Sequence, residues 1–309
     1  MQLIPWTHDC SEGFTLRGWR SPASGKPLLH FLHGNGFCCL AYQPLLARLA
    51  EHFDLWLSDV QGHGDSDHGG PFRGWNRTAA LAVEAFEAGR GEYGEVHRYA
   101  LGHSFGGVLT SLIVASEPHL FRRAVLLDPV LFSRRMLSVM GAARLLGLHR
   151  RHGLARMAAR RRSHWPDRQA ALASLQGRGI FKGWAETALH AYIEHAIGEC
   201  GEQVVLKCRP SREVEVFSSF PARLWASLKS ISIPTRILYG EQTYPFVPQS
   251  VKHLAQLNEA VTTKEMPGGH CFMQEQPGLA AEQVLEFLQP DANVVLLMER
   301  SMPFEPSTG

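Results

Sequence analysis

The chain has 309 residues, 31 Lys and Arg against 29 Asp and Glu, and a formal net charge of +2. A balance this even excludes attraction of nucleic acid by bulk charge, and 45% apolar with 19% charged residues excludes long disorder. No segment reaches about 18 apolar residues without a charge, so no integral membrane segment is expected.

In chain order, Leu28–Leu32 reads as a short buried strand that runs into the glycine turn His33-Gly34-Asn35-Gly36. Leu45, Leu46 and Leu49 give residues 42–51 a helical spacing. Residues 53–60 read as a second strand, closed by Gly62-His63-Gly64, and residues 78–89 as a helix. A strand over 96–101, a turn over 102–107 and an apolar helix over 108–115 follow. The strand Ala124–Leu127 stops at Asp128-Pro129, where proline ends regular structure. Residues 131–225 then show mostly helical periodicity. Ten arginines and one acid, Asp167, lie between Arg134 and Arg168. Alternation resumes with strands at 235–239 and 261–266 and helices at 249–258 and 278–288. Residues 302–309 read as a loose tail.

Alternating strands and helices predict a parallel sheet covered on both faces. The expected division is a core of residues 1–130 and 226–290, a helical cap over 131–225 and a C-terminal tail over 291–309. Ligands of such sheets bind outside the carboxyl ends of the strands, so the turns hold the candidate chemistry. Gly102-His103-Ser104-Phe105-Gly106-Gly107 contains Gly-x-Ser-x-Gly between an apolar strand and an apolar helix, the setting that exposes a nucleophilic serine. The bland reading is a glycine turn, but the context favours Ser104 as nucleophile. Gly268-Gly269-His270 follows the last strand and supplies His270 as general base, in the order Ser…acid…His. The acid is Asp128, with Glu241 as the alternative; Asp128 could equally be a turn residue introducing Pro129. The oxyanion donors are the backbone N–H groups of Phe105 and Asn35, with Gly36 as a near alternative to Asn35. The Asp59…His63…Ser66 set shares one turn and reads as structural.

The six cysteines (Cys10, Cys38, Cys39, Cys200, Cys208 and Cys271) have no zinc spacing and read as free thiols of a reducing cytoplasm. The N-terminus has neither the basic start nor the long apolar stretch of a signal peptide.

These residues, in this order, resemble the α/β-hydrolase superfamily over about residues 25–130 and 230–290. The resemblance is to a bacterial subgroup of uncharacterised serine hydrolases. It rests on His-Gly-Asn-Gly-Phe at 33–37, Gly-His-Gly-x-Ser at 62–66, Gly-His-Ser-x-Gly-Gly at 102–107 and Leu-Asp-Pro-Val-Leu-Phe at 127–132. It implies an α/β-hydrolase fold, with a mostly parallel eight-stranded sheet, helices on both faces and an inserted helical cap. It also implies Ser104 as nucleophile and His270 as base. The superfamily's usual acid follows the strand before the last, where Thr243 stands here; some relatives carry it where Asp128 stands.

The expected reaction is hydrolysis of a carboxylic ester through an acyl-enzyme on Ser104. A thioesterase, lactonase or carbon–carbon bond hydrolase with the same triad is the alternative. A noncatalytic ligand-binding protein on the same fold is the rival from another class. The expected partner is a small-molecule acyl substrate; no nucleic acid, metal or organic cofactor is called for. The cap's arginines read first as the solvated face of a lid with an apolar underside. Attraction of acidic substrates and contact with anionic lipid are the sharper readings.

Overall fold

A computed structural model describes residues 1–148 and 153–289; the expected tail over 291–309, with Arg150 and Arg151, lies outside the described residues. The chain opens with a hairpin, β1 (Ile4–Asp9) and β2 (Thr15–Arg20). Its turn places Gly13 at φ +78°. Then come β3 (Leu28–Leu32), α1 (Gln43–Leu49), β4 (Asp54–Asp59), α2 (Trp75–Gly89), β5 (Arg98–His103), α3 (Phe105–Ser116) and β6 (Arg123–Leu127). An insert follows: α4 (Arg134–Leu145), α5 (Gly153–Ala159), β7 (His164–Trp165), α6 (Arg168–Leu175), α7 (Glu186–His195), β8 (Ile197–Cys200), β9 (Gln203–Leu206), α8 (Pro210–Phe217) and α9 (Leu224–Lys229). Alternation resumes with β10 (Thr235–Gln242), α10 (Phe246–Leu257), β11 (Val261–Gly269), α11 (Phe272–Glu275) and α12 (Pro277–Leu288).

The main sheet has eight strands in the order β1-β2-β4-β3-β5-β6-β10-β11. β2 runs antiparallel to both neighbours, and every other pair is parallel. Successive side chains of a strand point to opposite faces, and the central strands feed two separate cores that way. Leu28 and Leu32 of β3, Ala124 and Leu126 of β6 and Ile237 of β10 pack with α2, α3, α9 and α10. Leu29 and Phe31, Val125 and Leu127, and Leu238 pack on the other face with α1, α7 and α12. Burial on both faces explains why these strands read as apolar runs rather than as alternating ones.

The insert is not all helical. β7, β9 and β8 form a small antiparallel sheet, with Gly201 at φ +61° in the two-residue turn between β8 and β9. Strands of two to four residues are too short to show a period of two, so the sequence reading missed them. The expected boundary at 225/226 falls inside α9.

Candidate active site

The parallel strands end along one edge. Leu32 pairs with Gly102, His103 with Leu127, and Leu127 with Leu238. The turns leaving β3, β5, β6 and β10 therefore meet there.

Ser104 sits between β5 and α3 at φ +54° and ψ −114°. A residue with a Cβ reaches that region only under strain, and here the surroundings enforce it. The Ser104 N–H donates to the Leu127 carbonyl at 2.9 Å. A Cβ on Gly106 would collide with the carbonyl oxygens of Leu32 and His33, so α3 packs its backbone directly on the end of β3. The helix N-terminus beneath Ser104 favours negative charge that develops there.

His270 follows β11, and its Nε2 lies 2.9 Å from Ser104 Oγ. Its Nδ1 faces Asp128 Oδ2 at 3.6 Å, an ion-pair distance beyond hydrogen-bond length. Such contacts are often long before substrate binds. Asp128 is wholly buried at the end of β6, with φ +43°. Its Oδ1 accepts the hydroxyl of Thr243 at 2.8 Å, and its Oδ2 accepts the N–H of Gly240 at 3.3 Å. Thr243, which stands where the resemblance puts the usual acid, is therefore a donor to the Asp128 carboxylate. Glu241 is exposed and lies against Gln242. The structure brings Ser104, His270 and Asp128 together and leaves Glu241 outside.

A second layer holds His270 from the core side. Tyr42 accepts the Gly34 N–H at 3.0 Å and donates to His103 Nδ1 at 2.5 Å. The His103 Nε2–H donates in turn to the His270 carbonyl at 3.1 Å. Burial pushes the His103 pKa well below the usual imidazole value, which suits a neutral ring that accepts on one nitrogen and donates on the other. On its outer side His270 meets the Tyr244 ring, centroids 4.6 Å apart.

The Phe105 N–H belongs to the first turn of α3, where amides lack intrahelical acceptors. The Asn35 side chain is committed to the protein: its Oδ1 lies 3.1 Å from His63 Nε2 and its Nδ2 donates to the Glu213 carbonyl. That leaves the Asn35 backbone N–H as the group of interest. Gly36 takes φ +80°, and a Cβ there would lie 2.8 Å from both Arg161 Nη1 and Glu213 Oε2. The insert thus reaches down onto this turn. Arg161 donates to Glu213 Oε1 at 2.6 Å and to the Tyr192 hydroxyl at 2.5 Å, and Tyr192 donates to the Gly36 carbonyl at 3.2 Å. Burial pushes the Glu213 carboxyl above the usual carboxylate range, and Arg161 opposes that shift. The sequence reading missed these three residues, because they lie on three different segments of the insert.

Asp59, His63 and Ser66 serve the neighbouring turns. Asp59 accepts the N–H groups of Cys39 and Asp65 at 2.7 and 3.0 Å, and Ser66 donates to the Asp59 carbonyl at 2.6 Å. A cavity of about 710 Å³ is lined by Phe72, Trp75, Arg144 and Phe220 among others, but not by Ser104, His270 or Asp128. Trp75 packs on Phe105 with ring centroids 4.6 Å apart. Among the described residues, no group of three or more His, Cys, Asp or Glu is placed to hold a metal ion, and no helix is long and apolar enough to cross a membrane.

The model of the alpha/beta hydrolase family matches residues 31–283. The chain belongs to that family. It is 30% identical to the monoglyceride lipase of Mus musculus over 123 residues, which is 38% of this chain and 39% of that protein. It is 32% identical to the pimeloyl-(acyl-carrier protein) methyl ester esterase of Pectobacterium atrosepticum over 100 residues, 32% of this chain and 36% of that one. These matches span about two fifths of the curated relatives' length. Among solved structures, E-2-(acetamidomethylene)succinate hydrolase is similar with a TM-score of 0.75 at 20% identity, covering 93% of this chain and 99% of the other. The thioesterase domain from the curacin biosynthetic pathway is similar with a TM-score of 0.70 at 16% identity, covering 92% and 100%. At these identities the likeness is one of fold.

Proposed function

We propose that this family member is a serine hydrolase that cleaves a carboxylic ester of a small molecule through an acyl-enzyme on Ser104. The observation that carries the reading is the line from Ser104 Oγ through the His270 ring to the Asp128 carboxylate, starting on a strained elbow. His270 Nε2 takes the hydroxyl proton as Ser104 attacks the carbonyl. Asp128 orients the ring and stabilises its imidazolium. The N–H groups of Phe105 and Asn35 receive the oxyanion. The leaving alcohol departs with the proton from His270, which then activates water to release the acid. The esterase and lipase names of the sequence relatives favour an ester over a carbon–carbon bond. The cysteines, five of them buried, fit a reducing cytoplasm.

Labelling by a fluorophosphonate probe, read by intact mass and peptide mapping, tests the reading. One adduct on Ser104, absent from Ser104→Ala, is expected. Folded protein that takes no adduct would sink the hydrolase reading in favour of a ligand-binding one. Turnover of thioesters or lactones but not esters would reassign the substrate.

A further inference from the structure

The outer face of α4 is built like an inner one. A surface helix ordinarily buries one apolar stripe and shows polar residues opposite. α4 turns Met136, Leu137 and Met140 inward, half-buried against the core that holds Phe132 and Trp225. On the other side Val139, Ala142 and the C-cap residue Leu146 fall at i, i+3 and i+7, a single apolar stripe at the helical period headed by Arg135 one turn earlier. All four are exposed. Val139 is 62% exposed, Leu146 72% and the adjoining Leu145 90%. α4 contains no fully buried residue. On α5 of the same insert, Met157 is also exposed, with Arg156 beside it and Arg160 one turn on. Isolated exposed apolar side chains are ordinary; a stripe of them along one helix face marks an interaction surface.

Charge selects the partner. The sequence from Arg134 to Pro166 contains no Asp or Glu. Arg134, Arg135 and Arg156 are exposed, whereas Arg144 lines the cavity beside Phe220 and Arg161 is held by Glu213. A second copy seated on this face would set arginine against arginine. A surface of negative headgroups over hydrocarbon answers both features, with guanidinium groups at the phosphates and leucines below them.

We propose that the outer face of α4 docks on the surface of an anionic lipid bilayer. This does not depend on Ser104 being a nucleophile. Co-sedimentation of the full chain with mixed phosphatidylglycerol–phosphatidylcholine vesicles, beside phosphatidylcholine alone, reads it directly. Binding to the anionic vesicles, weak binding to the neutral ones, and loss as salt rises are expected. Arg134→Gln with Arg135→Gln should lower partitioning about twenty-five-fold, each charge near the surface being worth about fivefold. Val139→Glu with Leu146→Glu should lower it at least as much. Both pairs are on the surface, so circular dichroism and labelling of Ser104 should match the parent chain. No binding to anionic vesicles at low salt would overturn the proposal, as would double variants that both bind as well as the parent chain. A dimer of the parent chain that Val139→Glu/Leu146→Glu abolishes, without vesicle binding, would assign the face to a second copy instead.

Discussion

At the scale of single residues, the carboxylate that faces His270 is Asp128 at the end of β6, at 3.6 Å, and the proposed mechanism makes it the partner of that ring. A buried carboxylate needs donors, and Asp128 has the Thr243 hydroxyl and the Gly240 N–H. Two predictions separate the roles. Asp128→Asn should lower kcat on the order of ten-thousandfold, because the amide cannot hold the proton-accepting tautomer of His270; a loss under threefold would remove Asp128 from the triad. Thr243→Val should lower kcat about tenfold and leave KM unchanged, as expected when one hydrogen bond to a charged group is lost. Steady-state kinetics on an activated ester reads both. The serine and the histidine could be named from their turns. For the acid the turns favour Asp128 and keep Glu241 as the alternative, because the choice depends on which carboxylate the strand ends carry inward.

At the scale of elements, the Arg161–Glu213 pair lies within the insert and is pressed on the turn after β3, to which Tyr192 and the Glu213 carbonyl are hydrogen-bonded. The side chains of Arg161 and Glu213 are 19% and 6% exposed, so the pair is largely desolvated. Breaking one side of such a pair costs about 3–5 kcal/mol, while removing both can be nearly neutral. Arg161→Met is therefore expected to destabilise strongly, and Arg161→Met/Glu213→Gln to recover most of the loss. Urea unfolding of the two single variants and the double variant measures the coupling; additive losses would show that the two residues act independently. No periodicity points to this contact. Arg161, Tyr192 and Glu213 are drawn together only by how the insert folds back, and the sequence shows merely an arginine-rich stretch.

At the scale of the whole molecule, four imidazoles among the described residues are buried near or beneath the sheet edge: His30, His33, His63 and His103. Burial lowers all four pKa values, that of His30 to about 3. The folded state keeps these rings neutral, whereas the unfolded chain protonates them below about 6.5. Their contribution is therefore complete above that pH and is lost as pH falls toward the lowered values, by roughly 1 kcal/mol per pH unit for each ring. The thermal midpoint should hold between pH 7 and 8 and fall steadily below pH 6.5. A midpoint unchanged down to pH 4.5 would contradict neutral burial.

The amino-acid order alone settled the alternation of strand and helix, the fold class, and the turns that hold Ser104, His270 and Asp128. Those features rest on local spacing: apolar runs buried on both faces, and glycines where the backbone must turn or lie close to another strand. Folding decided what depends on separated segments meeting. The strand order brings the ends of β5, β6, β10 and β11 side by side, which sets Asp128 rather than Glu241 against His270 and turns Thr243 into its donor. The same holds for the short sheet of the insert and for Arg161, Tyr192 and Glu213 above Gly36. Each is a contact between residues far apart in the chain, and a one-dimensional pattern carries no record of such a meeting.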